Sequence, residues 1–239
     1  MLDRRERVAL VTDAWALVTA GALPAARTAL RSVDHGGTIL FFAVPKPGET
    51  VIDGCAGAGG KSLHMAALMA NSGSIVAIDT DEKRLRELER RARRAGVDII
   101  TAIPAVNILP ANLAAMADLV LIDAPCSGSG TIRRNPAFKW SITESLVEHY
   151  ATAQAEILAR NAAYVNPGGR LAYATCSLFR EENEAVIEAF LAAHPEFRMR
   201  PLGPAAAELG LNIETDSLTL YPHRSRTDGF FLAVMDRQP

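Results

Sequence analysis

Val51-Ile52-Asp53-Gly54-Cys55-Ala56-Gly57-Ala58-Gly59-Gly60-Lys61-Ser62 is a short β-rich run that empties into a glycine-rich turn and then into helix-forming sequence. A turn of this kind sets the unbonded amides of a helix N-terminus beside a ligand. Its glycines let the backbone come close and take positive φ, which a side chain would penalise. Gly60-Lys61-Ser62 could close a phosphate-binding G-x-x-x-x-G-K-[ST] loop, but the first glycine of that pattern falls on Cys55, so the pattern fails. Asp79 ends the next β-rich run, Ile75-Val76-Ala77-Ile78-Asp79, where an acidic side chain can hydrogen-bond ribose hydroxyls. The loop therefore reads as a nucleoside site, while Asp79 taken alone could equally be a helix cap.

Outward from this loop, β-rich runs alternate with amphipathic helical stretches, the signature of a doubly wound, mostly parallel sheet. Strands are expected at Thr50 to Asp53, Ser74 to Ile78, Asp98 to Ile103, Asp118 to Ile122 and Gly169 to Ala174. Helices are expected near Gly60 to Ala70, Asp81 to Ala95, Thr143 to Tyr164 and Glu181 to Ala193. Ser217 to Leu220 and Gly229 to Met235 read as strands that close the sheet, with Pro222 to Arg226 as a loop between them. Residues 1 to about 34 read as helical, with a break from Gly21 to Pro24, which divides the chain into an N-terminal helical extension (1–45) and an α/β domain (46–239).

The 239 residues suffice for one such domain without a disulfide or metal staple. A hydrophobic fraction of 49% beside 22% charged residues argues against a disordered chain, and no run reaches the ~20 apolar residues of a membrane span. Arg4, Arg5 and Arg7 ahead of an apolar stretch imitate a signal peptide, but Asp13 interrupts the stretch and Asp3 and Glu6 dilute the basic region. A cytoplasmic setting is expected. A net charge of −2 means that any nucleic-acid contact must come from local basic patches. Arg133, Arg134 and Lys139 form one; the run Arg90-Arg91-Ala92-Arg93-Arg94 reads as a solvated helix face.

The three cysteines make no metal motif. Two of them, however, follow strands at matched places: Leu119-Val120-Leu121-Ile122 leads into Asp123-Ala124-Pro125-Cys126, and Leu171-Ala172-Tyr173-Ala174 leads into Thr175-Cys176. Ligands of a doubly wound sheet sit outside the carboxyl ends of the strands, so adjacent strands would bring both thiols to the cofactor. A free cysteine is usually a small buried hydrophobe, but the paired placement beside small and polar residues favours chemistry.

Taken in order, the Gly54–Ser62 loop, Asp123-Ala124-Pro125-Cys126-Ser127-Gly128-Ser129-Gly130, Ile132-Arg133-Arg134-Asn135-Pro136 with Lys139-Trp140, Tyr173-Ala174-Thr175-Cys176-Ser177, Glu181-Glu182-Asn183-Glu184 and Thr227-Asp228-Gly229-Phe230-Phe231 resemble the motifs of the RNA cytosine-5 methyltransferase family of RsmB and Sun type. The likeness covers roughly residues 45 to 235. It implies a class I S-adenosylmethionine-dependent methyltransferase fold, Rossmann-like with an antiparallel closing strand, and an enzyme acting on RNA, ribosomal RNA ahead of transfer RNA.

The resemblance implies roles as well. Cys176 would be the nucleophile, adding to carbon 6 of cytosine so that carbon 5 becomes electron-rich, and Cys126 would assist release of the product. Asp123 and Lys61 would hold the base. S-adenosylmethionine would be held by Cys55, Ala56, Gly57, Ala58, Gly59, Gly60 and Lys61, with Asp79, Asn107 and Asp123; no metal is expected. Ala58 stands where the family carries proline, and Asn107 where an acidic residue meets the adenine, which its carbonyl oxygen can also do. Arg133, Arg134 and Lys139 would hold phosphates of a single-stranded or flipped-out target. Without an RNA-binding appendage in sight, a protein partner for targeting and a non-catalytic, RNA- or partner-binding relative are further expectations.

Overall fold

The computed structural model describes residues 35–105, 114–203, 216–225 and 227–239, so the expected helices of residues 1–34 and the expected adenine contact Asn107 lie outside the described residues. Its frame is a sheet of eight strands: β1 (Thr50–Asp53), β2 (Ser74–Asp79), β3 (Ile100–Pro104), β4 (Ala117–Asp123), β5 (Val165–Thr175), β6 (Phe197–Met199), β7 (Ser217–Leu220) and β8 (Phe230–Arg237). The order is β3-β2-β1-β4-β5-β8-β6, with β7 also on β8. The first five run parallel, and β8 is antiparallel to β5, Arg170 lying opposite Asp236 and Thr175 opposite Phe231. Two short strands share the far edge of β8: β6 pairs from Met235 to Arg237 and β7 from Phe230 to Ala233.

Strict alternation along the strands divides the core into two faces. Leu119, Leu121, Ala172, Ala174, Phe230, Leu232 and Val234 point to one face, where they meet α1 (His35–Ala43) and α2 (Gly60–Leu68). Val120, Ile122, Leu171, Tyr173, Phe231, Ala233 and Met235 point to the other, beneath α4 (Glu144–Ala162) and α5 (Glu184–Ala193). The remaining helix, α3 (Glu82–Ala95), is amphipathic: Leu85, Leu88 and Ala92 are buried, Asp81 caps its start through the amides of Lys83 and Arg84, and Gly96 ends it at φ 67°.

Every strand expected from the sequence is present, and β8 is the antiparallel closing strand. Helix α1 lies in the expected helical extension of residues 1–45 but past residue 34, where the helical spacing ends, and strand β6 was not expected. Helix α1 carries Ile39, Leu40, Phe41, Phe42 and Ala43, all buried, so this stretch offers no polar face from which a period could be read. Its C-terminal carbonyls are satisfied from the sheet: Arg170 donates to Ala43 O (3.2 Å) and Val44 O (3.1 Å) and pairs with Glu49 (2.6 Å). Strand β6 is three residues long, too short to announce itself. The segment expected as a loop at Pro222 to Arg226 contains one helical turn, Pro222–Ser225.

The chain reverses its winding between β1 and β4, which are neighbours in the sheet but not in sequence. That switch point opens a crevice at the carboxyl ends of the strands. The glycine loop after β1, Asp79 at the end of β2, Asp123 to Cys126 after β4 and Cys176 after β5 all gather at this edge.

Candidate active site

The glycine loop is held from below by the sheet: Gly54 N donates to Leu121 O (2.8 Å) and Ala56 N to Ile78 O (2.9 Å). Gly57 (φ 55°) and Gly59 (φ 79°) turn it into α2, whose start has no side-chain cap. A methyl group on Gly59 would lie 2.5 Å from Leu88 Cγ, so glycine is needed there for packing, whereas Cβ positions on Gly57 and Gly60 meet nothing within 4 Å. The loop is thus closed against α3 on one side and open on the other. Asp79 accepts from Gly57 N (2.8 Å) on one oxygen and from Asp81 N (2.8 Å) on the other, leaving each oxygen a lone pair.

Arg91 bears on this loop. Its guanidinium donates to Ala58 O at 2.6 Å, so one member of the arginine run expected to be a solvated face instead fastens the cofactor-loop backbone to α3. At its far end, the loop delivers Lys61, whose ammonium pairs with Asp123 at the end of β4. Beneath them Asp53 is wholly buried; Ser62 Oγ donates to its Oδ2 (2.6 Å), and Oδ1 has no hydrogen-bond partner. Desolvation raises the Asp53 pKa to about 6, against the smaller opposing effects of Ser62 and Lys61. Sequence reading took Asp53 only as a strand end.

Cys126 and Cys176 meet, their sulfurs 3.1 Å apart. The pair is asymmetric. The hydrogen bond with Cys126 pulls the Cys176 thiol below its ordinary range, outweighing burial and the nearby Asp123 and Glu182 carboxylates. The same contact, with burial, drives the Cys126 pKa far up. Cys55, by contrast, is pushed up chiefly by desolvation and packs with apolar neighbours, so its contribution to the loop is its backbone.

Both thiol-bearing turns are tied to one carboxylate. Glu182 is fully buried and accepts from Ser127 N (2.8 Å), Ser127 Oγ (2.5 Å), Gln154 Nε2 (3.0 Å) and Ser177 Oγ. Ser127 and Ser177 are the residues directly after the two cysteines. A sequence signal existed in Glu181-Glu182-Asn183-Glu184, but the expected continuous helix from Glu181 concealed the geometry: a 3-10 turn at Arg180–Glu182 and a break at Asn183 (φ −122°, ψ −98°) precede α5 and turn Glu182 inward. Asn183 adds a brace, donating to Ser177 O (3.0 Å) and accepting from Thr175 Oγ1 (2.6 Å).

Of the expected basic residues, Arg134 pairs with Asp228, which joins the turn after Cys126 to the segment before β8; Gly229 N donating to Gly130 O (2.9 Å) reinforces the joint. Arg133 and Lys139 are exposed on the same turn.

A parallel 3-2-1-4-5 sheet closed by an antiparallel strand, a glycine loop after β1 and an acid ending β2 define a class I S-adenosylmethionine-dependent methyltransferase. Among such proteins the chain belongs to the 16S rRNA methyltransferase RsmB/F family, whose model matches residues 40–236. It is 35% identical to "Probable ribosomal RNA small subunit methyltransferase B" of Bacillus subtilis (strain 168), over 81% of this chain and 44% of that protein. Among solved structures, PH0851 superposes with a TM-score of 0.76 at 38% identity, over 84% of this chain and 45% of that one. NSun6 from Pyrococcus horikoshii, solved with SFG, gives 0.67 at 27% identity over 84% and 52%. The chain therefore spans about half the length of the relatives it matches.

S-adenosylmethionine is the cofactor of this family and fold, and the residues present fit it. The loop is open above Gly57 and Gly60, Asp79 has oxygens to spare for a ribose, and Asp53 holds an unpartnered buried oxygen beneath Lys61.

Proposed function

We propose that the chain methylates carbon 5 of cytosine in RNA, ribosomal RNA ahead of transfer RNA, through a covalent cysteine adduct. The observation that carries this reading is the asymmetric thiol pair, Cys126 and Cys176 at 3.1 Å, beside the Lys61–Asp123 pair at the carboxyl ends of β4 and β5. Cytosine methylation needs both halves of this arrangement.

Cys176, the more acidic thiol, adds as thiolate to carbon 6 of the base, placing an electron pair on carbon 5. Asp123 accepts from the exocyclic amine, and Lys61 lies at the polar edge of the ring. The bound cofactor, on the Cys55–Lys61 loop with Asp79, Asn107 and Asp123, supplies the methyl group. A base then takes the carbon 5 proton, the electron pair of that bond re-forms the carbon 5–carbon 6 double bond and expels the Cys176 thiolate, and Cys126, beside the departing sulfur, assists that step. Arg133, Arg134 and Lys139 hold phosphates, and because a base inside a helix cannot reach the thiols the target cytosine is single-stranded or flipped out. The setting is cytoplasmic, with residues 1–45 as an extension to a catalytic domain of residues 46–239 and a protein partner available for targeting.

The test uses the protein and its Cys126→Ala and Cys176→Ala variants with labelled S-adenosylmethionine and unmethylated RNA. A protein–RNA adduct that survives denaturation should accumulate with Cys126→Ala and be absent with Cys176→Ala. No methyl transfer and no adduct in any of the three, together with failure to bind S-adenosylmethionine, would instead support a non-catalytic relative.

A further inference from the structure

Four large apolar side chains are well exposed among the described residues: Met116, Phe138, Trp140 and Tyr221. Two of them share one 3-10 turn, Pro136–Trp140, in which no residue is buried. Trp140 is 81% exposed and Phe138 42%. A turn that presents its aromatics outward and buries nothing gains little from them in the fold itself.

The turn is nevertheless firmly placed. Pro136 fixes its entry, Phe138 N donates to Asn135 O (3.0 Å), and Ser141 closes it through Phe138 O. Phe138 rests against Gly128, two residues beyond Cys126: a Cβ on that glycine would stand 3.5 Å from the ring. Arg134, just before the turn, is locked to Asp228. Trp140 therefore projects from a rigid edge of the loop that carries Cys126. Its charge surroundings are basic, with the Lys139 ammonium 4.6 Å from the ring centroid and Arg133 exposed on the same segment.

We infer that Trp140, backed by Phe138, is a stacking platform for an unpaired nucleobase of the RNA, next to the nucleotide whose base enters the thiol site. An exposed indole offers a flat π-face that every base can cover, and neighbouring cations can take the adjoining phosphate without the acidic remainder of the molecule having to attract it. A protein partner would have to bury Lys139 and Arg133 along with the aromatics, whereas a nucleotide satisfies aromatic and cation at once. The inference rests on the RNA reading above but not on its chemistry, because stacking needs neither thiol nor cofactor.

The chain has two tryptophans, Trp15 and Trp140, so Trp15→Phe makes Trp140 the sole indole reporter. Fluorescence is titrated, without S-adenosylmethionine, with a cytosine-containing single-stranded RNA and with inorganic polyphosphate, which carries charge but no base. Saturable quenching by the RNA and none by polyphosphate is expected. In the native background, Trp140→Leu should weaken RNA binding roughly tenfold or more, with S-adenosylmethionine binding unchanged. RNA that binds without quenching, polyphosphate that quenches as well as RNA, or RNA affinity untouched by Trp140→Leu would overturn the platform. Quenching that persists where methyl transfer to cytosine fails would count against the proposed reaction and leave the platform standing.

Discussion

Cys126 Sγ lies 3.1 Å from Cys176 Sγ, although fifty residues and a whole helix separate the two in sequence. The contact exists because β4 and β5 are parallel neighbours in register, Asp123 opposite Ala174, so the turns after them leave the sheet side by side. Two thiols at this distance cannot titrate independently. The contact pulls the Cys176 thiol down and pushes the Cys126 thiol up, which favours Cys176 as the nucleophile.

Alkylation should reveal that order. Iodoacetamide near neutral pH is expected to modify Cys176 ahead of Cys126, with Cys55 slow because desolvation pushes its thiol up. Because the hydrogen bond with Cys126 is the largest influence lowering Cys176, Cys126→Ala should move the alkylation profile of Cys176 to higher pH. Peptide mapping of modification rate against pH checks both points, and an unmoved profile would mean that the two thiols are uncoupled.

The glycine loop separates packing from ligand space by two neighbouring glycines. Gly59→Ala drives a methyl group to 2.5 Å from Leu88 Cγ at φ 79°, and should lower stability by about 2 kcal/mol. Gly57→Ala meets nothing within 4 Å and should cost only about 1 kcal/mol for its positive φ, yet weaken S-adenosylmethionine binding. Urea unfolding and calorimetric titration of the two variants give the comparison. Equal stability losses with equal affinities would show that the open side of the loop holds nothing.

The sheet was legible because each of its longer strands alternates between two buried faces or runs apolar into a turn, as Leu119 to Ile122 do before Asp123. The matched thiols were legible for the same reason: a strand end fixes where its loop must lie. Helix α1 was legible only as part of a helical extension and not by its own period, because Ile39 to Ala43 are buried and amphipathic periodicity needs a solvent face. Glu182 and Arg91 escaped for a different reason. Each is a charged residue on a helical stretch that sequence assigns to solvent, and its partner (Ser127 and Ser177 for one, the Ala58 carbonyl for the other) is distant in sequence or invisible in side-chain patterns.

Glu182 should matter for stability more than its helical neighbours. Glu182→Ala strands the Ser127 amide in the interior and leaves Gln154 Nε2 only its bond to Pro125 O, at a cost of about 3 kcal/mol, while the two serine hydroxyls can seek other acceptors. Glu182→Gln keeps one acceptor oxygen and should recover part of the loss, whereas the exposed Glu181→Ala should be nearly neutral. Denaturant midpoints decide. If Glu182→Ala unfolds with the native midpoint, the carboxylate does not join the two turns.

Asp53 gives the fold an inverted pH dependence. Its pKa is raised from 3.8 to about 6, so between these values the folded chain binds more protons than the unfolded one, and stability contributed by this group falls as pH rises through that window. Above pH 6 the full penalty is present, about 3 kcal/mol from a shift of roughly two units, and below pH 3.8 it vanishes. Asp53→Asn, which can still accept from Ser62, should therefore unfold like the native chain near pH 4 and at a higher temperature near pH 7.5. Ser62, Lys61 and the Cys55 backbone offset part of the cost of this charge, whereas its unpartnered oxygen at the base of the cofactor loop adds to it until a ligand arrives. The same substitution should accordingly weaken S-adenosylmethionine binding while it stabilises the fold. Melting curves at the two pH values, with and without cofactor, separate these effects; a variant less stable than the native chain at pH 7.5 would show that the buried charge is fully compensated without ligand.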